Sequence, residues 1–223
     1  MIGKRLLIAG NLLGMTSAIV PALALGQHPR YRVLRMPTAA MEPTLHMREI
    51  LTFRLYRANG ASLQPGMLEF QDIVLFHSPS ESTIVAAKRI IGLPGDTLQM
   101  KGGSLSRNGH RVEESYVRHS KPGFRGDARN LPQMRVWQLP FLVNGSTDQY
   151  HPDIQSWGPL VVPANTVALL GDNRDESYDT RYFGFVPFRF LLGRLQTILD
   201  PDRGRIRWNR DSVGHAAGAE PHH

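Results

Sequence analysis

The chain has 223 residues, no cysteine, 26 Lys+Arg against 19 Asp+Glu, and an isoelectric point of about 10.1. That length admits one domain with a real core plus a smaller insertion, and the lack of cysteine excludes disulfides and thiolate metal sites. The basic surplus suits general solubility or a polyanionic partner, either nucleic acid or the headgroups of a bilayer.

In chain order, Lys4 and Arg5 precede Leu6 to Leu25, an uncharged stretch of about twenty residues. As a helix rising ~1.5 Å per residue it is long enough to cross a hydrocarbon core. A single N-terminal transmembrane helix, within a membrane anchor over residues 1–30, is the favoured reading. A cleavable signal peptide competes, because Ala22-Leu23-Ala24 has the A-x-A form of a cleavage site. The basic start argues for a cytoplasmic N-terminus, against which Arg30, Arg32 and Arg35 follow closely.

From Tyr31 onward the pattern is mostly β, with short runs broken by turn residues. Ile50 to Tyr56 alternates in part, Asp72 to Phe76 is a short buried-strand run, and Ile84 to Ile91 is apolar except for Lys88 and Arg89. Asn108-Gly109 between two short strands predicts a type I′ hairpin. Residues 113 to 160 are polar, rich in Pro and Gly, and read as a loop-rich insertion. Val161 to Leu170 is expected to be one strand, and the chain from about Asp202 to be a frayed tail. The resulting division is a catalytic body over 31–200, a smaller β/loop insertion over 98–165, and a basic, polar tail over 201–223. The nine histidines form no HxH or HExxH pairing, so no metal and no other cofactor is expected.

Four segments stand out together. They are Pro37-Thr-Ala-Ala40-Met41-Glu-Pro-Thr-Leu45, Asp72-Ile-Val-Leu-Phe76, Lys88-Arg-Ile-Ile-Gly92-Leu-Pro-Gly-Asp96, and Gly171-Asp-Asn-Arg-Asp-Glu-Ser177-Tyr-Asp179-Thr-Arg181. In this order, behind an apolar N-terminal segment, they closely resemble the boxes of bacterial type I signal peptidases, over roughly residues 5 to 195. The resemblance implies a β-rich catalytic domain with a smaller β insertion, on the outer (periplasmic) face of the cytoplasmic membrane. The implied reaction is hydrolysis after the A-x-A motif of an exported preprotein. The implied partners are signal peptides and anionic membrane lipids.

A serine hydroxyl becomes a good nucleophile only when a base takes its proton. A lysine is such a base only when neutral, far from its reference pKa of about 10.4, so burial must strip it. Lys88, set among Ile84, Val85, Ala86, Ala87, Ile90 and Ile91, suits that task. The resemblance implies that Ser177 hydrogen-bonds and orients the Lys88 amine. It also implies a supporting ion pair of Asp179 with Arg181, with Asp172 and Arg174 bracing the turn nearby. Thr38 matches an oxyanion-hole serine, the N–H of residue 40 is the second donor, and Met36 and Ala87 fall beside the −1 pocket.

The nucleophile position is Ala40, whose methyl group cannot attack a carbonyl. An engineered change, natural loss of the serine with the cleft retained, and use of Thr38 instead all remain open. If residues 38 and 40 share a strand face they lie ~6.5–7 Å apart, so a base aimed at one misses the other. Two rival functions stand beside the endopeptidase. The first is a non-catalytic signal-peptide or membrane-surface binder, which Ala40 makes serious and the retention of Lys88, Ser177 and Asp179 argues against. The second is a DNA-binding Ser/Lys self-cleaving regulator, which lacks a helix-turn-helix pattern. No nucleic-acid partner is expected.

Overall fold

In the computed structural model, residues 30–56, 63, 65–143 and 148–209 are described. The apolar segment 6–25 and the end of the tail beyond 209 lie outside them. Among the described residues no helix is long and apolar enough to cross a membrane.

The elements run β1 (Tyr31–Arg35), β2 (Ile50–Leu55), β3 (Ile73–His77), β4 (Val85–Gly92), β5 (Thr97–Lys101), β6 (Ser104–Arg107) and β7 (His110–Arg111). After these come α1 (Leu131–Gln138), β8 (Trp157–Val161), β9 (Thr166–Leu170), α2 (Thr180–Phe183), β10 (Val186–Pro187), β11 (Leu191–Asp200) and β12 (Arg205–Trp208). The larger sheet has the order β1-β2-β11-β3-β4-β9-β10, with β12 also against β11; the smaller is β7-β6-β5-β8. All named pairings are antiparallel.

Strand β3 is buried from Ile73 to Phe76 on both faces, which is why its sequence is a continuous apolar run rather than an alternation. Strand β2 alternates instead, burying Leu51 and Phe53. The larger sheet curls around a cluster of Met36, Met41, Leu51, Phe53, Leu75, Ala87 and Leu195, so that the β1 edge approaches β4. A second cluster on the other face of β3 and β4 holds Val74, Phe76, Ile90, Val186 and Phe188. A third joins the smaller sheet to α1 through Leu98, Leu105, Met134 and Trp157.

Asn108 and Gly109 both take positive φ, 54° and 80°, as a type I′ turn requires. Three expectations are corrected. The expected strand Val161–Leu170 is two strands, because Pro163 and Asn165, the latter at φ 59°, turn the chain between β8 and β9. The loop-rich insertion contains α1, whose first turn carries Pro132, a residue tolerated where the amide lacks an intrahelical partner anyway. The tail is not frayed at Asp202, since β12 pairs from Arg205 to Trp208 with Asp200 to Thr197.

Candidate active site

The site is built where three segments meet: the turn after β1, the middle of β4, and the loop between β9 and α2. Residues 38 to 41 form a bend and turn rather than a strand, with the Glu42 N–H donating to the Ala39 carbonyl at 3.1 Å. The strand spacing expected between Thr38 and Ala40 therefore does not apply. Thr38 is exposed, whereas Ala40 and Met41 are buried.

Lys88 sits in the middle of the sheet, opposite Val74 of β3. Alternation along β4 gives it the same face as Ala86 and Ile90, so half of the apolar neighbours expected from sequence lie on the other face. It is 5% exposed. Burial lowers its amine from the ordinary 10.5 to about 8; Asp179 and Asp172 pull it back up and Arg181 pushes it further down. Among the described residues no carboxylate lies within ion-pair distance of this amine.

Asp179 begins α2 and is saturated with donors. Its carboxylate accepts from the Arg181 guanidinium at two points, both 2.8 Å, from the Arg181 N–H at 3.2 Å and from the Gly171 N–H at 3.1 Å. Burial alone would raise its pKa, but the charge and hydrogen bonds of Arg181, helped by Ser177 and the Gly171 N–H, outweigh that and hold it below the usual carboxylate value. Ser177 behaves differently from the expectation. Its Oγ is buried, forms no hydrogen bond of good geometry to Lys88, and has the Asp179 carboxylate as its nearby polar neighbour. The hydroxyl is instead packed over Gly171. A Cβ there would come within 2.3 Å of Ser177 Oγ and 2.5 Å of the Ala40 carbonyl oxygen, so glycine alone lets these segments close.

Around this centre lie buried ion pairs. Arg89 grips Asp172 at two points, 2.9 and 2.7 Å, while Thr44 donates to the same carboxylate and Tyr116 lies 3.9 Å below the guanidinium. Arg174 pairs with Glu114 of the insertion. Sequence reasoning named Asp172 and Arg174 but missed Arg89, Thr44, Glu114, Tyr116 and Asn173. The signal available was strand alternation: in a Lys-Arg pair on a buried strand the two cations point to opposite faces, and each needs its own solution. Met36 and Ala87 come together in one apolar cluster, joined by Leu34 and Val85.

The family model "Signal peptidase, peptidase S26" matches residues 12–199. The chain belongs to the signal peptidase I family. A signal peptidase I from Leptolyngbya laminosa is 31% identical over 167 residues, covering 71% of this chain and 64% of that one. One from Pseudomonas aeruginosa is 32% identical over 184 residues, covering 74% and 63%. The chain thus spans a little under two thirds of the length of these two relatives. A solved signal peptidase I from Enterococcus faecalis V583 aligns at 28% identity over 58% of this chain and 97% of that one, with a TM-score of 0.39.

Proposed function

We propose that this chain is a membrane-anchored serine endopeptidase scaffold that takes signal peptides of exported preproteins for cleavage after A-x-A. Lys88 is the general base for a hydroxyl at position 40. With Ala40 in place the chain binds such peptides without turning them over. The observation that carries this reading is the buried amine. At about 8, roughly one Lys88 in ten is neutral at pH 7, against about one in three thousand at 10.5. The N–H of residue 40 and the Thr38 hydroxyl serve as oxyanion donors, and the Asp179–Arg181 pair supports Lys88.

Two open sheet edges support an extended substrate. Strand β1 pairs only with β2, and β4 is paired with β9 only from Arg89 onward, so among the described residues no strand covers that side of Val85 to Lys88. The Ile90 N–H donates to Asp72 and the Ser78 N–H to Ile84. Antiparallel alternation between those points turns the Val85 and Ala87 peptide groups to the open side. Added there, a peptide strand presents alternate side chains to Leu34, Met36, Val85 and Ala87, a small-residue site for positions −1 and −3.

Attachment to the outer face of the cytoplasmic membrane draws support from the outward face of β1-β2-β11-β12. Val33, Thr52, Thr197 and Trp208 form one cross-strand row, and Arg35, Ile50, Leu199 and Ile206 the next. Val33, Ile206 and Trp208 are over 60% exposed, which suits an interface with anionic lipid.

The deciding experiment compares the chain with its Ala40→Ser variant in detergent, on a preprotein ending its leader in Ala-x-Ala. The variant is expected to cleave and the parent only to bind. A variant that binds but does not cleave overturns the Lys88 assignment. A parent that cleaves quickly, and loses this on Thr38→Ala, moves the nucleophile to Thr38.

A further inference from the structure

The carbonyls of Ala39 and Ala40 are both met from outside the turn by one residue. The Asn173 backbone N–H donates to the Ala40 carbonyl at 3.2 Å, and its side-chain amide donates to the Ala39 carbonyl at 3.3 Å. The amide is itself oriented: Ser120 Oγ donates to Asn173 Oδ1 at 2.9 Å, which turns the NH2 group towards Ala39.

Each peptide unit is planar and trans, so anchoring a carbonyl fixes the direction of the N–H in the same unit. The Ala39 carbonyl shares its unit with the N–H of residue 40. The Ala40 carbonyl belongs to the following unit. The Glu42 N–H shares the Ala39 carbonyl at 3.1 Å, so Asn173, together with that turn bond, holds both planes flanking the residue 40 Cα, and with them the direction of its side chain. A second contact comes from the insertion, where Arg118 reaches Glu42 at 2.7 Å. Arg118 is in turn laced into the loop, donating its N–H to Asp172 and accepting from Arg174, both at 2.9 Å.

We propose that Asn173, set by Ser120 and backed by the Arg118–Glu42 pair, is a positioning residue that aims the N–H and side chain of residue 40 at the scissile carbonyl. This rests on the proposed function and adds a determinant of its rate. Removing an oxyanion donor outright costs on the order of a hundredfold to a thousandfold in turnover. A donor that is retained but no longer aimed should lose less, about tenfold to a hundredfold.

The test has two independent arms. In the Ala40→Ser background, Asn173→Ala should lower kcat by about tenfold or more with KM within about twofold, because the lost alignment matters only as the oxyanion forms. Ser120→Ala should act in the same direction by a few-fold. An unchanged kcat, or a rise in KM that accounts for the loss, overturns the proposal. The second arm needs no activity. In the chain carrying Ala40, Asn173→Ala should shift the amide resonance of residue 40 and speed its hydrogen exchange, while amides in β2 and β5 stay unchanged. An unmoved residue 40 amide overturns the proposal even if Ala40→Ser proves inactive, an outcome that by itself would count only against the assigned chemistry.

Discussion

The two faces of β4 treat neighbouring cations in opposite ways. Arg89 faces a carboxylate, a hydroxyl and an aromatic ring, all in contact with its guanidinium. Lys88, one residue earlier, faces the apolar side shared with Val74 and Ile90, and has charges only at longer range. Guanidinium is always charged and geometrically suited to a two-point grip on carboxylate, whereas a buried ammonium sheds its proton. Adjacent positions therefore hold an anchored charge on one face and, in the proposed function, a base on the other.

The widest separation is expected in catalysis. Giving Lys88 a hydroxyl partner through Ala40→Ser should raise turnover by up to the order of a millionfold, the typical cost of lacking a nucleophile. The rate should climb with pH and level off above about 8, where Lys88 is neutral; a profile flat from pH 6 to 9 would remove it as the base.

Next in size is the loss of the partner on the other face. Asp172→Ala leaves Arg89 buried without its carboxylate and should cost about 3–5 kcal/mol in urea denaturation. A cost below about 1 kcal/mol would mean that the ring and the Gln71 carbonyl suffice.

Lys88→Met should do the reverse and stabilise the fold. The folded pKa is lowered, so the burden of burying a proton on Lys88 is fully present below about 8 and gone above about 10.5. The gain should be about 3 kcal/mol at pH 7 and shrink to about 1 kcal/mol by pH 9.5, read from denaturation at both. An equal gain at both values would show that packing, not charge, is responsible. Smallest is Tyr116→Leu, which removes the ring under Arg89 and should cost about 1 kcal/mol by the same measurement.

Local pattern made much of this legible. The continuous apolar run of β3 and the Asn108-Gly109 turn are short-range features, and the four sequence boxes mark the segments that converge. What stayed hidden depends on contacts distant in sequence. Glu114 meets Arg174 across 60 residues and Asn173 meets Ala39 across 134, separations that no periodicity encodes. The basic stretch of β12 resembled a tail because only its pairing with β11 makes it a strand. Residues 38 to 41 resembled a strand end because nothing local announces that their carbonyls will be captured by Asn173. Ser177 was expected by motif as a partner of the Lys88 amine; its hydroxyl lies over Gly171 and near the Asp179 carboxylate, an arrangement set by how the loop packs rather than by local pattern.

Among the described residues, the uncovered border of β4 is only four residues long before β9 seals it. Exposed ladder groups usually invite association between copies of a protein, and brevity is one natural defence. A notch of this length gives another molecule's sheet too few bonds to zip onto. Under the proposed function, a single extended stretch of polypeptide is all that such a notch admits.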